Sequence, residues 1–317
     1  MVAKIFIDGE AGTTGLQIRD RLAGRRDLEV LSIAADKRKD QDERKRLLNA
    51  ADVAILCLPD DAAKESVSLI DNGTTRVIDA STAYRVDPNW AYGFAEMDKG
   101  QSEVIAKARF VANPGCWPQG LIANVRPLIA AGLLPVDYAV SYNGISGYSG
   151  GGKQMIAEYE AAGDHASQFM AYGLTFNHKH VPEMTRYTGL SAAPLFVPTV
   201  GDFAQGMTTF VPLQLGQLAK VPSGKELHAA IADHFAAITD SFVVVAPYDP
   251  ALGKSPALDP QAHNDSNTMT LHVFANDARA QAVLVAVYDN LGKGASGAAV
   301  QNLNLMLGVS ARESLAA

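Results

Sequence analysis

The chain has 317 residues, of which 48% are apolar and 19% are charged, a composition typical of a globular protein large enough for two domains. Its formal charge of -7 disfavours binding to nucleic acid or to an anionic membrane surface. No apolar run approaches the ~20 residues of a membrane-spanning helix, the N-terminus lacks an export signal, and the two cysteines do not make a disulfide framework. We therefore expect a cytoplasmic protein whose partners are small molecules and other copies of itself.

Short apolar runs alternate with polar stretches of helical pattern in the first third of the chain. The predicted strands are 5–7, 30–33, 53–58, 76–79 and 109–112, and the predicted helices between them are 14–24, 39–50 and 60–72. Alternation at this spacing is typical of β-α-β units. It predicts a Rossmann-like, doubly wound parallel sheet in an α/β domain.

Longer strands are predicted after about Cys116. They are 137–143, 206–215, 241–246, 268–275 and 281–288, with helices at 153–162 and 223–238. The turn 276–279 joins the last two strands as a hairpin, and Ser223 with Glu226 forms a capping box at a helix start. We predict a second, α+β domain with a mixed or antiparallel sheet.

The predicted domain boundaries follow from this change of pattern. Residues 1–115 are a dinucleotide-binding domain, and residues 116–292 are a catalytic and substrate domain that also serves oligomerisation. Residues 293–317 are a C-terminal helix that returns to the cofactor domain.

A glycine-rich loop follows the first strand directly. Its spacing is Gly-x-x-Gly-x-x-Gly, and the loop residues assigned to cofactor binding are Gly9, Gly12, Thr13, Thr14 and Gly15. Glycine permits a tight turn and lets the helix N-terminus approach a pyrophosphate. With a strand before it and a helix after it, the loop predicts dinucleotide binding, the alternative being a plain tight turn.

Lys37 and Arg38 follow the second strand, where dinucleotide folds read the adenosine ribose. An arginine here accommodates the 2′-phosphate of NADP, whereas an acidic residue such as the neighbouring Asp36 bonds the 2′-hydroxyl of NAD. The basic residues predict NADP. The alternative is that this run, up to Arg46, is a solvated helix face.

Cys116 lies in the segment 113–120, at the end of the fifth predicted strand and at the start of a helical pattern. A helix N-terminus stabilises a thiolate, so we predict that Cys116 is a nucleophile. The alternative is a buried, unreactive cysteine, an interpretation that suits Cys57 within its apolar strand better.

Two histidines, His178 and His180, lie close to Glu183 and offer an acid/base partner for the cysteine. A metal site is the rival interpretation, but Pro182 disfavours a regular ligand-bearing helix here. The glycine-rich stretch 147–153 imitates a nucleotide-hydrolase phosphate loop but lacks the final hydroxyl residue. We expect it to bind an oxyanion or a substrate phosphate rather than a nucleotide.

Together, these motifs resemble the N-acetyl-gamma-glutamyl-phosphate reductases, particularly their shorter subfamily, nearly end to end. The Asn-Pro-Gly-Cys signature stands at 113–116, a His-x-Pro-Glu element at 180–183, and a closing Lys-Gly-Ala run at 293–302. A Ser-Gly-x-Ser-Gly segment stands at 143–147 with its first serine replaced by asparagine. Two departures are Gly-Glu-Ala-Gly in the first loop and alanine for a common proline at position 95.

The resemblance implies residue roles and a reaction. Cys116 is the nucleophile, His180 the acid/base, and Gly294 a further cofactor contact; NADP is the cofactor. Arg85 and the Ser146–Gly147 loop are candidate substrate-anion binders, Arg85 having the alternative of a solvated loop residue. The implied reaction reduces N-acetyl-glutamyl phosphate to its semialdehyde through a cysteine thioester, with release of inorganic phosphate. No metal is implied.

Two alternatives stay open at this point. An aspartate-semialdehyde dehydrogenase shares the architecture and the chemistry, so residue roles do not separate it. A non-enzymatic dinucleotide-binding regulator belongs to a different class and would tolerate the loss of Cys116.

Overall fold

The computed structural model describes residues 2–251, 254 and 256–316, which form two compact units. Unit 1 contains residues 2–95, Gly100–Gly115 and Ala295–Ala316. Unit 2 contains Glu96–Lys99 and the described part of Cys116–Gly294.

Unit 1 is built on a six-stranded sheet in which the paired strands are parallel. Its strands are β1 (Ala3–Asp8), β2 (Leu28–Leu31), β3 (Val53–Leu56), β4 (Arg76–Asp79), β5 (Ala91–Tyr92) and β6 (Phe110–Ala112). The order β2-β1-β3-β4-β6-β5 confirms the doubly wound prediction. In such sheets ligands bind at the carboxyl ends of the strands where the order reverses, here between β1 and β3.

Helices cover both faces of this sheet. They are α1 (Thr13–Leu22), α2 (Gln41–Ala50), α3 (Asp60–Leu69), α4 (Gln101–Lys107) and α9 (Gly297–Leu307). Because successive strand residues point to opposite faces, Ile5 and Ile7 pack in one core with Leu303 of α9, while Phe6 packs in another with Leu47 of α2. The covered faces explain why β3 is buried at every residue.

Unit 2 is built on a seven-stranded sheet, which is mixed as predicted and has the strand order β11-β12-β13-β10-β7-β9-β8. Its strands are β7 (Ser141–Gly147), β8 (Phe169–Ala171), β9 (Leu195–Gly201), β10 (Met207–Gln214), β11 (Val243–Val245), β12 (Met269–Asn276) and β13 (Gln281–Tyr288). Strands β12 and β13 form the predicted antiparallel hairpin. Strands β7 and β9 pair in parallel, as do β11 and β12.

The helices of unit 2 are α5 (Cys116–Ala130), α6 (Gly152–Ala162), α7 (Val181–Thr188) and α8 (Gly224–Ala236). Helices α5 and α8 pack against the strands β10 to β13. The capping box is confirmed, since the Ser223 side chain accepts from the Glu226 N–H and Glu226 accepts in return from Ser223. No helix in the described ranges combines the length and the hydropathy that crossing a membrane requires.

We expected Pro182 to disfavour a regular helix that carries both histidines. Helix α7 begins at Val181, after His178 and His180, and has the proline in its first turn. A proline is tolerated there because the N–H it lacks has no partner within the helix. Strands β8 and β9 were not predicted, and β7 begins four residues later than expected, at Ser141.

Candidate active site

The glycine loop of unit 1 has the conformation that a pyrophosphate site requires. Gly9 has a φ of +87°, and a Cβ atom added there would lie 2.4 Å from the carbonyl oxygen of Cys57. A Cβ atom on Gly15 would lie 2.6 Å from the carbonyl oxygen of Gly9. Helix α1 then begins after Gly12 with no side-chain cap and no acidic residue in its first turn. Its N–H groups therefore suit an anion, and the loop fits a dinucleotide pyrophosphate.

A cavity of about 430 Å³ lies beside this loop in unit 1. It is lined by Asp8, Gly9, Glu10, Ala11, Ile33, Arg38, Lys39, Arg44, Leu58, Ala62 and Glu65. Its position at the ends of β1 and β3 fits the adenosine half of a dinucleotide. Arg38 lines it together with Lys39, whereas Lys37 is not among the lining residues.

Arg44 is a cavity residue that the sequence interpretation missed. We assigned the basic run to a solvated helix face, and Arg46 is indeed exposed. The Arg44 side chain, however, is buried and donates to Asp8 Oδ2 from Nε and Nη2, at 3.2 and 3.1 Å, and to Glu65 Oε2 at 2.7 Å. The solvated-face interpretation was wrong for Arg44 because α2 turns this position towards the end of β1.

The loop that precedes Cys116 is held by side-chain hydrogen bonds within unit 1. Asn113 donates from Nδ2 to the carbonyl oxygen of Ala295 and accepts from Asn302 Nδ2, both at 3.0 Å. Arg85 donates from Nε to the carbonyl oxygen of Asn113 at 3.0 Å and from Nη2 to that of Ala80. Because Arg85 is 8% exposed, it is not the solvated loop residue of the alternative interpretation.

Cys116 is the first residue of α5, as predicted, and two tyrosines hold this helical turn. Tyr288 Oη donates to the carbonyl oxygen of Cys116, and Tyr142 Oη donates to that of Trp117, both at 2.7 Å. Burial raises the pKa of both phenols well above its ordinary value, so they remain protonated donors at neutral pH.

The closing motif packs against the same helix start. A Cβ atom on Gly294 would lie 2.9 Å from the Cβ of Cys116, and Gln119 Nε2 donates to the carbonyl oxygen of Lys293. The Lys293 ammonium is buried in an ion pair with Glu96 Oε2 at 2.6 Å. Burial lowers the pKa of Lys293, although the Glu96 carboxylate opposes this shift. Gly294 is thus placed beside the cysteine, where only a glycine fits.

A chain of aromatic contacts in unit 2 connects the helix start with the two histidines. Trp117 Nε1 donates to Tyr172 Oη at 3.1 Å, and the rings of Tyr172 and His178 lie 5.9 Å apart. The rings of His178 and His180 lie 4.7 Å apart. The His180 N–H donates to His178 Nδ1 at 3.1 Å, so a neutral His178 carries its proton on Nε2. Sequence reasoning missed Tyr172, which belongs to no motif.

His180 is buried and occupies the N-cap position of α7, and Glu183 in the first turn is 1% exposed. The aromatic contacts place His180 in the same unit and in the same cluster as the residue that follows Cys116. Within the described ranges, no group of three or more His, Cys, Asp and Glu side chains has an arrangement that would hold a metal ion.

The Ser146–Gly147 segment ends β7 in a tightly packed turn. A Cβ atom on Gly147 would lie 2.5 Å from the carbonyl oxygen of Ala204, and the Gly147 N–H donates to that of Gly206. Ser146 is 3% exposed. The stretch beyond it forms a short 3₁₀ turn and then α6.

Comparison with known proteins defines the class. Residues 4–107 match the family described as "Semialdehyde dehydrogenase, NAD binding domain", and residues 116–290 match "Semialdehyde dehydrogenase, dimerisation domain". An aspartate semialdehyde dehydrogenase II from Vibrio cholerae superposes with a TM-score of 0.72 at 13% identity, covering 97% of this chain and 99% of that one. The chain therefore belongs to the class of semialdehyde dehydrogenases, and the solved structure shows the same fold.

The particular family follows from closer relatives. N-acetyl-gamma-glutamyl-phosphate reductases from Chelativorans sp. (strain BNC1) and Mesorhizobium japonicum are 67% and 65% identical to this chain. The alignments cover 97% and 98% of this chain and 99% and 100% of the relatives. The chain belongs to the N-acetyl-gamma-glutamyl-phosphate reductase family, which confirms the resemblance found in the sequence.

Proposed function

We propose that the chain reduces N-acetyl-glutamyl 5-phosphate to N-acetyl-glutamate 5-semialdehyde with NADPH, as a step of arginine biosynthesis in the cytoplasm. Near full-length identity of 67% to a reductase of this name carries the proposal. The structure supports it with a cysteine at a helix start and with a dinucleotide loop and cavity in unit 1.

The residues of unit 2 suit a thioester route. The Cys116 thiolate attacks the acyl carbon, a C–S bond forms, and inorganic phosphate leaves with the electron pair of the broken C–O bond. When bound, the nicotinamide cofactor supplies the hydride that reduces the thioester carbon. His180 donates a proton to the resulting oxyanion and removes it again as the C–S bond breaks, which releases the aldehyde and the Cys116 thiolate.

Three groups are candidates for binding the negative charges of the substrate, on the oxyanion and on the phosphate. We assign the oxyanion to the Cys116 N–H at the first position of α5, because the first N–H groups of a helix have no partner within the helix. We keep the Ser146–Gly147 turn as a candidate site for the substrate phosphate through the Ser146 hydroxyl, since the Gly147 N–H already donates to the carbonyl oxygen of Gly206. Arg85 donates from Nε and Nη2 to the carbonyl oxygens of Asn113 and Ala80, so we assign it first to bracing the loop before the cysteine.

The residues that line the unit 1 cavity fit NADP. A 2′-phosphate needs cations at the end of β2, and Arg38 and Lys39 provide them. We therefore propose that Arg38 and Lys39 contact the 2′-phosphate and that Lys37, which does not line the cavity, does not contact it.

The oligomer that we propose uses the open face of the unit 2 sheet. Along β12, half-buried Thr270, His272 and Phe274 alternate with buried residues, and Phe274 lies in register with Val283 of β13. Phe274 and Val283 are an adjacent apolar pair on this face, which suits a second copy of the chain. Val283→Lys should shift the chain to monomer in light scattering, whereas Val104→Lys, at an exposed position of α4 in unit 1, should not.

One assay tests the proposed reaction directly. The purified protein is given N-acetyl-glutamate 5-semialdehyde and NADP, with and without inorganic phosphate, and NADPH formation is followed. We expect phosphate-dependent reduction of NADP. Turnover of aspartate semialdehyde instead, or no turnover of either aldehyde by a protein that binds NADP, would overturn the proposal in favour of one of the two alternatives.

A further inference from the structure

Glu10 places a buried carboxylate inside the glycine loop that faces the cofactor cavity. It lies between Gly9 and Gly12 and is 6% exposed. Its Oε2 accepts from Arg19 Nη1 and its Oε1 from Arg38 Nη2, each at 3.3 Å. A carboxylate is unfavourable near a pyrophosphate or a 2′-phosphate because like charges repel, so it needs a function that offsets this cost.

The charges of the cavity are balanced before any ligand enters. Three carboxylates, of Asp8, Glu10 and Glu65, line it together with the cations of Arg38, Lys39 and Arg44. The formal charges of these six side chains therefore cancel. A dianionic 2′-phosphate that enters the cavity competes with the resident carboxylates for the cations.

The two guanidinium groups differ in their freedom to change partners. Arg44 is buried and holds Asp8, Glu65 and Ser66 through several hydrogen bonds of 2.6 to 3.2 Å. Arg38 is 44% exposed at its side chain and meets Glu10 through a single longer contact. Arg38 can therefore leave its carboxylate at low cost, whereas Arg44 cannot.

We propose that Glu10 is a specificity-determining residue of the adenosine 2′ subsite: it is the resident counter-ion of Arg38, and a 2′-phosphate must displace it. This inference rests on the proposed use of NADP. Arg38 rotates from Glu10 to the phosphate, while Arg19 keeps the other carboxylate oxygen. Glu10 thus limits how far the site prefers a phosphorylated over an unphosphorylated adenosine.

The test measures binding of two fragments that differ only in the 2′-phosphate, adenosine 2′,5′-bisphosphate and 5′-AMP, by titration calorimetry. The ratio of their Kd values reports the subsite alone. Glu10→Gln removes the charge and frees Arg38, and we expect it to raise the preference for the bisphosphate about five- to tenfold.

The chain offers a matched control in Glu65→Gln. This change removes one negative charge from the same cavity but frees Arg44, which Asp8 still holds. We expect the Kd ratio to stay within about twofold of the wild-type ratio. In an Arg38→Ala background, Glu10→Gln should not raise the preference for the bisphosphate, because the guanidinium that Glu10 would release is absent.

An unchanged or lower ratio in Glu10→Gln would overturn the proposal, as would an equal gain in Glu65→Gln or a gain that persists without Arg38. Glu10→Ser repeats the test if the amide variant does not fold by circular dichroism. Failure of the wild type to bind 5′-AMP at all would instead contradict the dinucleotide function itself, so the two failures are distinguishable.

Discussion

The two cysteines occupy similar places in the chain but very different surroundings. Cys57 follows β3 and packs against the apolar core of unit 1. Burial and the nearby carboxylates of Asp79 and Asp8 raise the pKa of its thiol to about 12. Cys116 also follows a strand, but it is itself the first residue of a helix and packs among hydrogen-bonded side chains in unit 2.

The difference shows that two strand-to-helix connections can surround a thiol with different charges. Cys57 precedes the first residue of α3 by three positions, so it lies outside that helix and among carboxylates. Cys116 is the first residue of α5, and a helix N-terminus favours a negative charge. We therefore expect Cys116, rather than Cys57, to be the reactive cysteine.

The largest expected effect is that of Cys116→Ser. Because the serine hydroxyl is a far weaker nucleophile, kcat should fall by several orders of magnitude while the Kd for NADP stays the same. Steady-state kinetics and calorimetry measure the two quantities. Cys57→Ser is the matched control and should remain active; comparable activity in the two variants would remove the thioester route.

His180→Asn should lower kcat by roughly 10²- to 10⁴-fold, the usual contribution of general acid–base catalysis. Its binding of NADP should not change, which calorimetry checks. A chelator should leave the wild-type enzyme fully active. Inactivation by the chelator, reversed by zinc, would instead show that the imidazole is a metal ligand.

Arg38→Ala should raise the KM for NADP by about tenfold or more and leave the KM for NAD nearly unchanged, because a charge-assisted bond to the phosphate is lost. Lys37→Ala is the control, since Lys37 does not line the cavity, and both KM values should stay as in the wild type. Equal effects of Arg38→Ala on the two cofactors would show that Arg38 does not read the 2′-phosphate.

The smallest expected effect concerns stability at high pH. The folded protein holds the Cys57 proton more tightly than the unfolded chain, whose thiol has an ordinary pKa of 9.0. The resulting stability is fully present below pH 9 and is lost as the pH rises towards 12. Between pH 8 and pH 10, the free energy of unfolding measured with urea should therefore fall by about 1 kcal/mol more for the wild type than for Cys57→Ala. A constant difference would show that the thiol titrates normally.

Local patterns in the sequence were sufficient for much of this protein. Apolar runs separated by helical patterns predicted the parallel sheet of unit 1, and the glycine spacing predicted its loop. Ser223 with Glu226 predicted a helix start, and 276–279 predicted a hairpin. Each of these features depends on residues close together in the chain, so their types and spacing contain the necessary information.

Other features were decided only by the tertiary structure. Strand β9 has no clear alternation and contains Pro198, but pairing with β7, more than fifty residues earlier, makes it a strand. Arg44 belongs to a run of charged residues whose pattern predicts a solvated helix face. In the structure it is buried and pairs with Asp8, 36 positions away. The buried ion pair of Lys293 with Glu96 joins residues 197 positions apart. Burial and pairing depend on which distant segments meet, and a local pattern does not contain that information.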